Sequence, residues 1–123
     1  MVQKQDPALT RQAVQQVAGW LEGGSAEPSR SELANACRRT ARTLAEELPG
    51  HSVELRVPPF VAVQCVEGPR HTRGTPPNVV ETDAATWIDL ATDAEAWPDA
   101  VAAGRIAASG TRADLAALLP LRP

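Results

Sequence analysis

Apolar residues recur along this chain with two periods, and the change between them divides it into a helical first part and a mixed remainder. In DPALTRQAVQQVAGWLEGG, Leu9, Ala13, Val17, Trp20 and Leu21 fall on one face of a 3.6-residue repeat. Asp6 stands at a capping position, Pro7 at the first helical position, and Gly23-Gly24 close the run, so the pattern predicts an amphipathic helix. SAEPSR is a short linker, within which Ser29 begins a capping box with Glu32. Behind it Leu33, Cys37, Thr40, Leu44 and Leu48 share a face until Pro49-Gly50 ends a second helix. Arg38 and Arg42 lie one turn apart on that helix with Glu46 a further turn along, which reads as a solvated face bearing an Arg42-Glu46 pair.

Beyond Gly50 the period drops to two. HSVELRV alternates Val53, Leu55 and Val57 with Glu54 and Arg56, the pattern of a half-buried strand. Pro58-Pro59 interrupts the ladder, since neither residue can donate a backbone hydrogen bond, and FVAVQCVEG resumes as a strand, either paired as a hairpin or as a bulged continuation. After the loop PRHTRGTPP come a third strand, NVVE, and the helix TDAATWIDLAT, capped by Thr82 or Asp83 with Trp87, Leu90 and Ala91 inward. WPDAVAAG reads as a short helix and RIAASG as a final strand. Thr111 with Asp114 opens a last helix carrying Leu115, Leu118 and Leu119. The expectation is an α/β (α+β) domain spanning 1–123, with four to five strands in a mixed or antiparallel sheet and about five helices.

Composition narrows what such a domain can do. The 123 residues suit one hydrophobic core, and with 3% aromatics and no tyrosine that core is built from Ala, Val and Leu, so any cavity has mainly aliphatic walls. The net charge is −3 and the twelve basic residues are spread along the chain, without the cluster of phosphate-neutralising charges that nucleic-acid binding requires. No apolar run reaches the ~18 residues of a membrane span and the N-terminus has no apolar targeting segment, so a cytoplasmic protein is expected. Cys37 and Cys65 have no CxxC spacing, and with only His51 and His71 as further soft ligands they read as buried small hydrophobes and not as a disulfide or metal site.

With the C-terminal half laid out, the order strand, TDAATWIDLAT helix, WPDAVAAG helix, RIAASG strand and leucine-bearing end resembles the sterol-carrier-protein-2 family. Gly104, Ile106 and Gly110 match its GxLxxxG strand, and Leu115 and Leu118 match its terminal helix. The string VPPFVAVQCVEGPRHTRGTPPNVVETD is similar to a short bacterial branch of that family. Two departures stand out: Pro58-Pro59 occupies a place where a glycine-containing hairpin is usual, and Asp93 stands where the helix before Trp97 usually ends in glycine. The resemblance implies a mixed sheet covered on one side by helices, with an apolar tunnel for a fatty-acyl chain, a sterol or a similar lipid. Related domains also serve as accessory modules that complete a site on a partner enzyme, which is the alternative function.

Candidate chemistry fits a carrier better than a catalyst. Cys65, Glu67 and His71 lie close in sequence, but Cys65 falls in a strand and His71 in a loop, with no orienting residue or oxyanion turn to complete a nucleophile. Cofactor fingerprints are lacking, so neither a cofactor, a bound metal nor a self-sufficient enzyme is expected. Ile106, Leu115, Leu118 and Leu119 form the expected apolar layer. Arg70, His71 and Arg73, with Gly74 allowing close backbone approach, suit the carboxylate or phosphate of an amphiphile's head, or else pair with acids such as Glu67 and Glu81. The expected partners are a lipid or other apolar small molecule and, on the alternative, a protein.

Overall fold

A computed structural model describes residues 4–24, 26–68, 78–110 and 113–121. Helix α1 spans Pro7–Leu21 and α2 spans Arg30–Glu47, and both begin where their sequences signal. The Asp6 carboxylate accepts from the Ala8 N–H at 2.9 Å. At α2 the capping box closes in both directions, with the Glu32 N–H donating to Ser29 Oγ at 3.1 Å and the Ser29 N–H to Glu32 Oε1 at 3.0 Å. The strands are β1 (Val53–Val57), β2 (Val61–Cys65), β3 (Asn78–Thr82) and β4 (Ile106–Ser109), and α3 (Ala84–Ala91) and α4 (Trp97–Ala102) lie between the last two. Asp83, not Thr82, caps α3, accepting from the Thr86 N–H at 2.8 Å.

The four strands form one sheet in the order β2-β1-β3-β4. β1 runs antiparallel to β2 and parallel to β3, and β3 is antiparallel to β4, so the sheet is mixed. Pro58-Pro59 turns the chain back instead of prolonging the strand: its peptide is cis and the Phe60 N–H donates to the Val57 carbonyl at 2.9 Å, closing the hairpin. Asp93 adopts φ 68°, the left-handed backbone that glycine takes freely and aspartate tolerates, so it can fill a glycine's place at the end of α3.

Strand alternation sorts the sheet into two faces. Val53, Leu55 and Val57 are fully buried, and the register sets Cys65, Val63 and Val61 beside them on β2 and Asn78 and Val80 on β3. This face joins one buried cluster with Ala13 and Val17 of α1, Leu33, Cys37 and Leu44 of α2, and Trp87, Ile88 and Leu90 of α3. The opposite face carries Glu54, Arg56, Gln64 and Glu81, with Glu54 and Arg56 paired at 2.6 Å, and is polar. Inside the helical layer, Trp87 Nε1 donates to Thr40 Oγ1 at 2.8 Å, and Thr40 donates in turn to the Ala36 carbonyl at 2.6 Å, so these buried polar groups satisfy one another.

Three expectations change. The C-terminal helix reduces to a single 3-10 turn at Ala116–Leu118, because Pro120 ends the run and biases Leu119 towards the extended backbone it adopts (φ −118°, ψ 148°). Four α-helices therefore stand in place of five helices among the described residues. Leu9 is 43% exposed, while Thr10 takes the inward position on α1. Glu46 does not pair with Arg42: its carboxylate instead accepts from the Gln5 N–H at 2.7 Å, tying the entry of α1 to the end of α2.

Candidate functional site

The C-terminal segment, residues 113–121, packs against the helices with few backbone bonds to other described residues. Its described backbone bonds are Ala113 N–H to Gly110 O at 3.5 Å, Leu118 N–H to Leu115 O at 3.0 Å, and Leu121 N–H to Ala91 O at 2.9 Å. What holds the segment is chiefly its apolar side chains. Leu115 is fully buried and belongs to the core, Leu121 is 8% exposed, and Leu118 and Leu119 are half-buried against the same cluster.

Grooves flank this segment on two sides. Leu118, Leu119, Ala117 and Pro120 face Glu47 and Leu48 across an open groove of about 490 Å3. Leu121 joins Val14, Thr40 and Ala91 in a second, mainly apolar groove of about 250 Å3, with Arg11 and Gln15 on its rim. Leu119 also reaches a small cavity of about 130 Å3 beside Leu90 and Trp97. Of the apolar layer expected from the sequence, Leu118 and Leu119 thus share one groove and Leu115 lies beneath as core. Ile106 is half-buried on the edge strand β4 and lines none of the three.

Arg70, His71 and Arg73 lie outside the described residues, but the chain on either side of them is well tied. The Val66 N–H donates to the Leu48 carbonyl at 2.7 Å, and the Ser52 N–H donates to the Val66 carbonyl at 3.1 Å. Asn78 Nδ2 donates to the Ser52 carbonyl at 2.7 Å. Val66 holds φ 66°, unusual for a β-branched residue, and a Cβ on Gly50 would stand 2.2 Å from its carbonyl oxygen, so only glycine fits there. Val66 and Asn78, the described residues that flank this stretch, are therefore tied to the end of the sheet where Leu48, a wall of the Leu118–Leu119 groove, also lies.

Neither thiol is poised for chemistry. Burial pushes Cys65 up to about 11 and Cys37 up to about 12, the latter against the opposing pull of Arg38, so both are protonated at neutral pH. Among the described residues no group of His, Cys, Asp and Glu could hold a metal ion. A polar hollow of about 580 Å3 collects Asp83, Asp89, Glu95 and Asp99 around Arg105, which pairs with Glu95. Burial raises the Asp89 carboxyl above its usual range, with Arg105 opposing and Asp83 adding to the effect. The Val14–Ala91–Leu121 groove was not legible in the sequence, because its walls come from α1, α2, α3 and the C-terminal segment, which no local pattern brings together.

A mixed sheet with helices on one face and a loosely bonded apolar segment across them defines a class, that of small α+β domains with a cleft at the helical layer. Within it, residues 29–121 match the family model described as "Bacterial SCP ortholog", and the chain belongs to that bacterial sterol-carrier-like family. The match runs from the capping box of α2 to Leu121 and leaves α1 outside it. No curated protein matches the chain.

Proposed function

We propose that the protein is a non-catalytic, cytoplasmic carrier of an amphiphile such as a fatty acid or a sterol-like lipid, acting as one domain over residues 1–123. The tail lies along Leu118 and Leu119, above Leu115 and towards Ile106, and the head lies near Arg70, His71 and Arg73. Family membership supports the class of ligand. The observation that carries the site is the C-terminal segment: its leucines cover the core through side chains and, among the described residues, few backbone bonds, so an acyl chain can replace apolar contact with apolar contact while breaking little hydrogen bonding. The common attachment of Val66 and the Leu118–Leu119 groove to Leu48 supports a head beside the basic stretch.

Titration with a fluorescent fatty acid tests this reading. Wild type takes up the probe at micromolar concentration. Leu118→Trp, which adds bulk without charge, abolishes uptake while the protein still melts cooperatively, and Arg70→Gln/Arg73→Gln weakens uptake of an acidic probe more at low salt than at high salt. Lack of uptake by wild type overturns the carrier reading and leaves the accessory module as its replacement. Full uptake by Leu118→Trp moves the tail out of the groove.

A further inference from the structure

The outer side of the α1–α2 pair carries a second kind of concavity. It is a polar hollow of about 610 Å3, lined by Lys4 before α1, Gln16 on α1, and Asn35, Arg38, Arg39 and Arg42 on α2. The four α2 residues follow i, i+3, i+4, i+7 spacing and form a stripe roughly 10 Å long. Positive charges at these spacings repel one another, in a chain whose net charge is −3.

The acids beside the stripe do not pair with it. Glu46, one turn past Arg42, accepts from the Gln5 N–H at 2.7 Å, Glu32 from the Ser29 N–H at 3.0 Å, and Asp6 from the Ala8 N–H at 2.9 Å. The ion pairs among the described residues are Arg56 with Glu54 and Arg105 with Glu95, both elsewhere. Four cations thus line the hollow against the two carboxylates of Asp6 and Glu32, with the Glu46 carboxylate held beside it on the Gln5 N–H. Two of these cations are also anchored. Arg38 Nε donates to the Phe60 carbonyl at 3.0 Å and Arg39 Nε to Asn35 Oδ1 at 3.0 Å, which fixes each guanidinium while leaving its terminal N–H groups without partners among the described residues.

We propose that this hollow binds a phosphate-bearing small molecule, with Arg38, Arg39, Arg42 and Lys4 closing on its phosphate oxygens. Guanidinium forks match phosphate oxygens in pairs, and anchoring two of them in advance lowers the entropy lost on binding. The hollow has the size of a small-molecule site, and its surplus positive charge suits an anion. Lys4 and Gln16 lie outside residues 29–121, so the hollow is completed where α1 is added to the family fold. The proposal is independent of the amphiphile reading, since it shares no residue with the Leu118–Leu119 groove.

The full chain is titrated calorimetrically with inorganic pyrophosphate at low ionic strength, and the amide signals of wild type are followed in parallel. One-to-one binding is expected, weakening as salt rises, with shifts at Gln16, Asn35 and Arg39. Affinity falls about tenfold or more in Arg39→Gln/Arg42→Gln, the loss of one charge-assisted contact or more, and is unchanged in Arg56→Gln on the open sheet face. Should the double variant fail to fold, Arg42→Gln alone carries the comparison, with a smaller loss expected. Vesicles containing phosphatidic acid form the other arm: sedimentation with them, lost in the double variant and without pyrophosphate binding, assigns the phosphate to a lipid head. Equal affinity in wild type and the arginine variant, or no response to pyrophosphate or vesicles, overturns the proposal.

Discussion

Cys37 and Cys65 show how a residue's surroundings decide its chemistry. Both are fully buried in the cluster between sheet and helices, and burial holds their thiol pKa values at about 12 and about 11, above the ordinary thiol value of 9.0. In the unfolded chain they ionise near that ordinary value, so above pH 9 the unfolded state binds fewer protons than the folded one and stability declines as pH rises. The loss is absent below pH 9 and grows between pH 9 and 11 by up to about 1.4 kcal/mol per pH unit for each thiol. With no tyrosine and a single lysine in the chain, few other side chains titrate in this window. Urea midpoints at pH 8 and pH 10 are expected to diverge in wild type and to draw together in Cys65→Ala, and a wild-type midpoint that stays level across this range would show that the thiols ionise freely in the fold. The buried-hydrophobe reading of both cysteines was available from their places in periodic segments. The close approach of Gly50 to Val66 was not, because Pro49-Gly50 marks a helix stop whatever backbone it meets, and that partner lies sixteen residues further on.

At the scale of elements, local signals fixed most boundaries and failed at the C-terminus. The capping box of α2, the Asp6–Pro7 start of α1 and the alternation of β1 each draw on neighbours in sequence, and the structure forms them as read. The last helix had a similar start signal and an apolar spacing, but only a few residues separate Asp114 from Pro120. Such a run repays too little of the cost of helix nucleation, and packing sets its path instead. Asp114 accepts from the Ala116 N–H at 2.9 Å, a local turn bond, while Thr111, the other half of the expected capping box, lies outside the described residues. Burial then separates leucines that the helical pattern treated alike. Leu115→Ala removes a fully buried side chain and is expected to cost about 2–5 kcal/mol. Leu118→Ala, at the groove, is expected to cost about 1 kcal/mol. Chemical denaturation of the two variants measures both, and equal losses would mean that Leu118 is as much a part of the core as Leu115.

Across the whole molecule, the sheet order and the single buried cluster explain where ligands can and cannot go. One face of the sheet is spent on the core and the other is polar, so apolar access remains at the edges of the helical layer, where the C-terminal segment lies. The sheet's mixed character was open in the sequence, because the parallel pairing of β1 with β3 depends on a crossover that no local pattern encodes. Charge is likewise arranged by the fold: the Arg38–Arg42 stripe reads as a solvated helix face until α1 brings Lys4 and Gln16 over it. Among the described residues no helix is long and apolar enough to cross a membrane. Native mass spectrometry of protein purified without detergent tests the carrier account most directly. A fraction of molecules is expected to carry one added mass in the range of a fatty acid or a sterol-like lipid, lost on organic extraction and regained when a fatty acid is supplied. Protein that flies only at its own mass, and stays there when offered excess fatty acid and sterol, would contradict it.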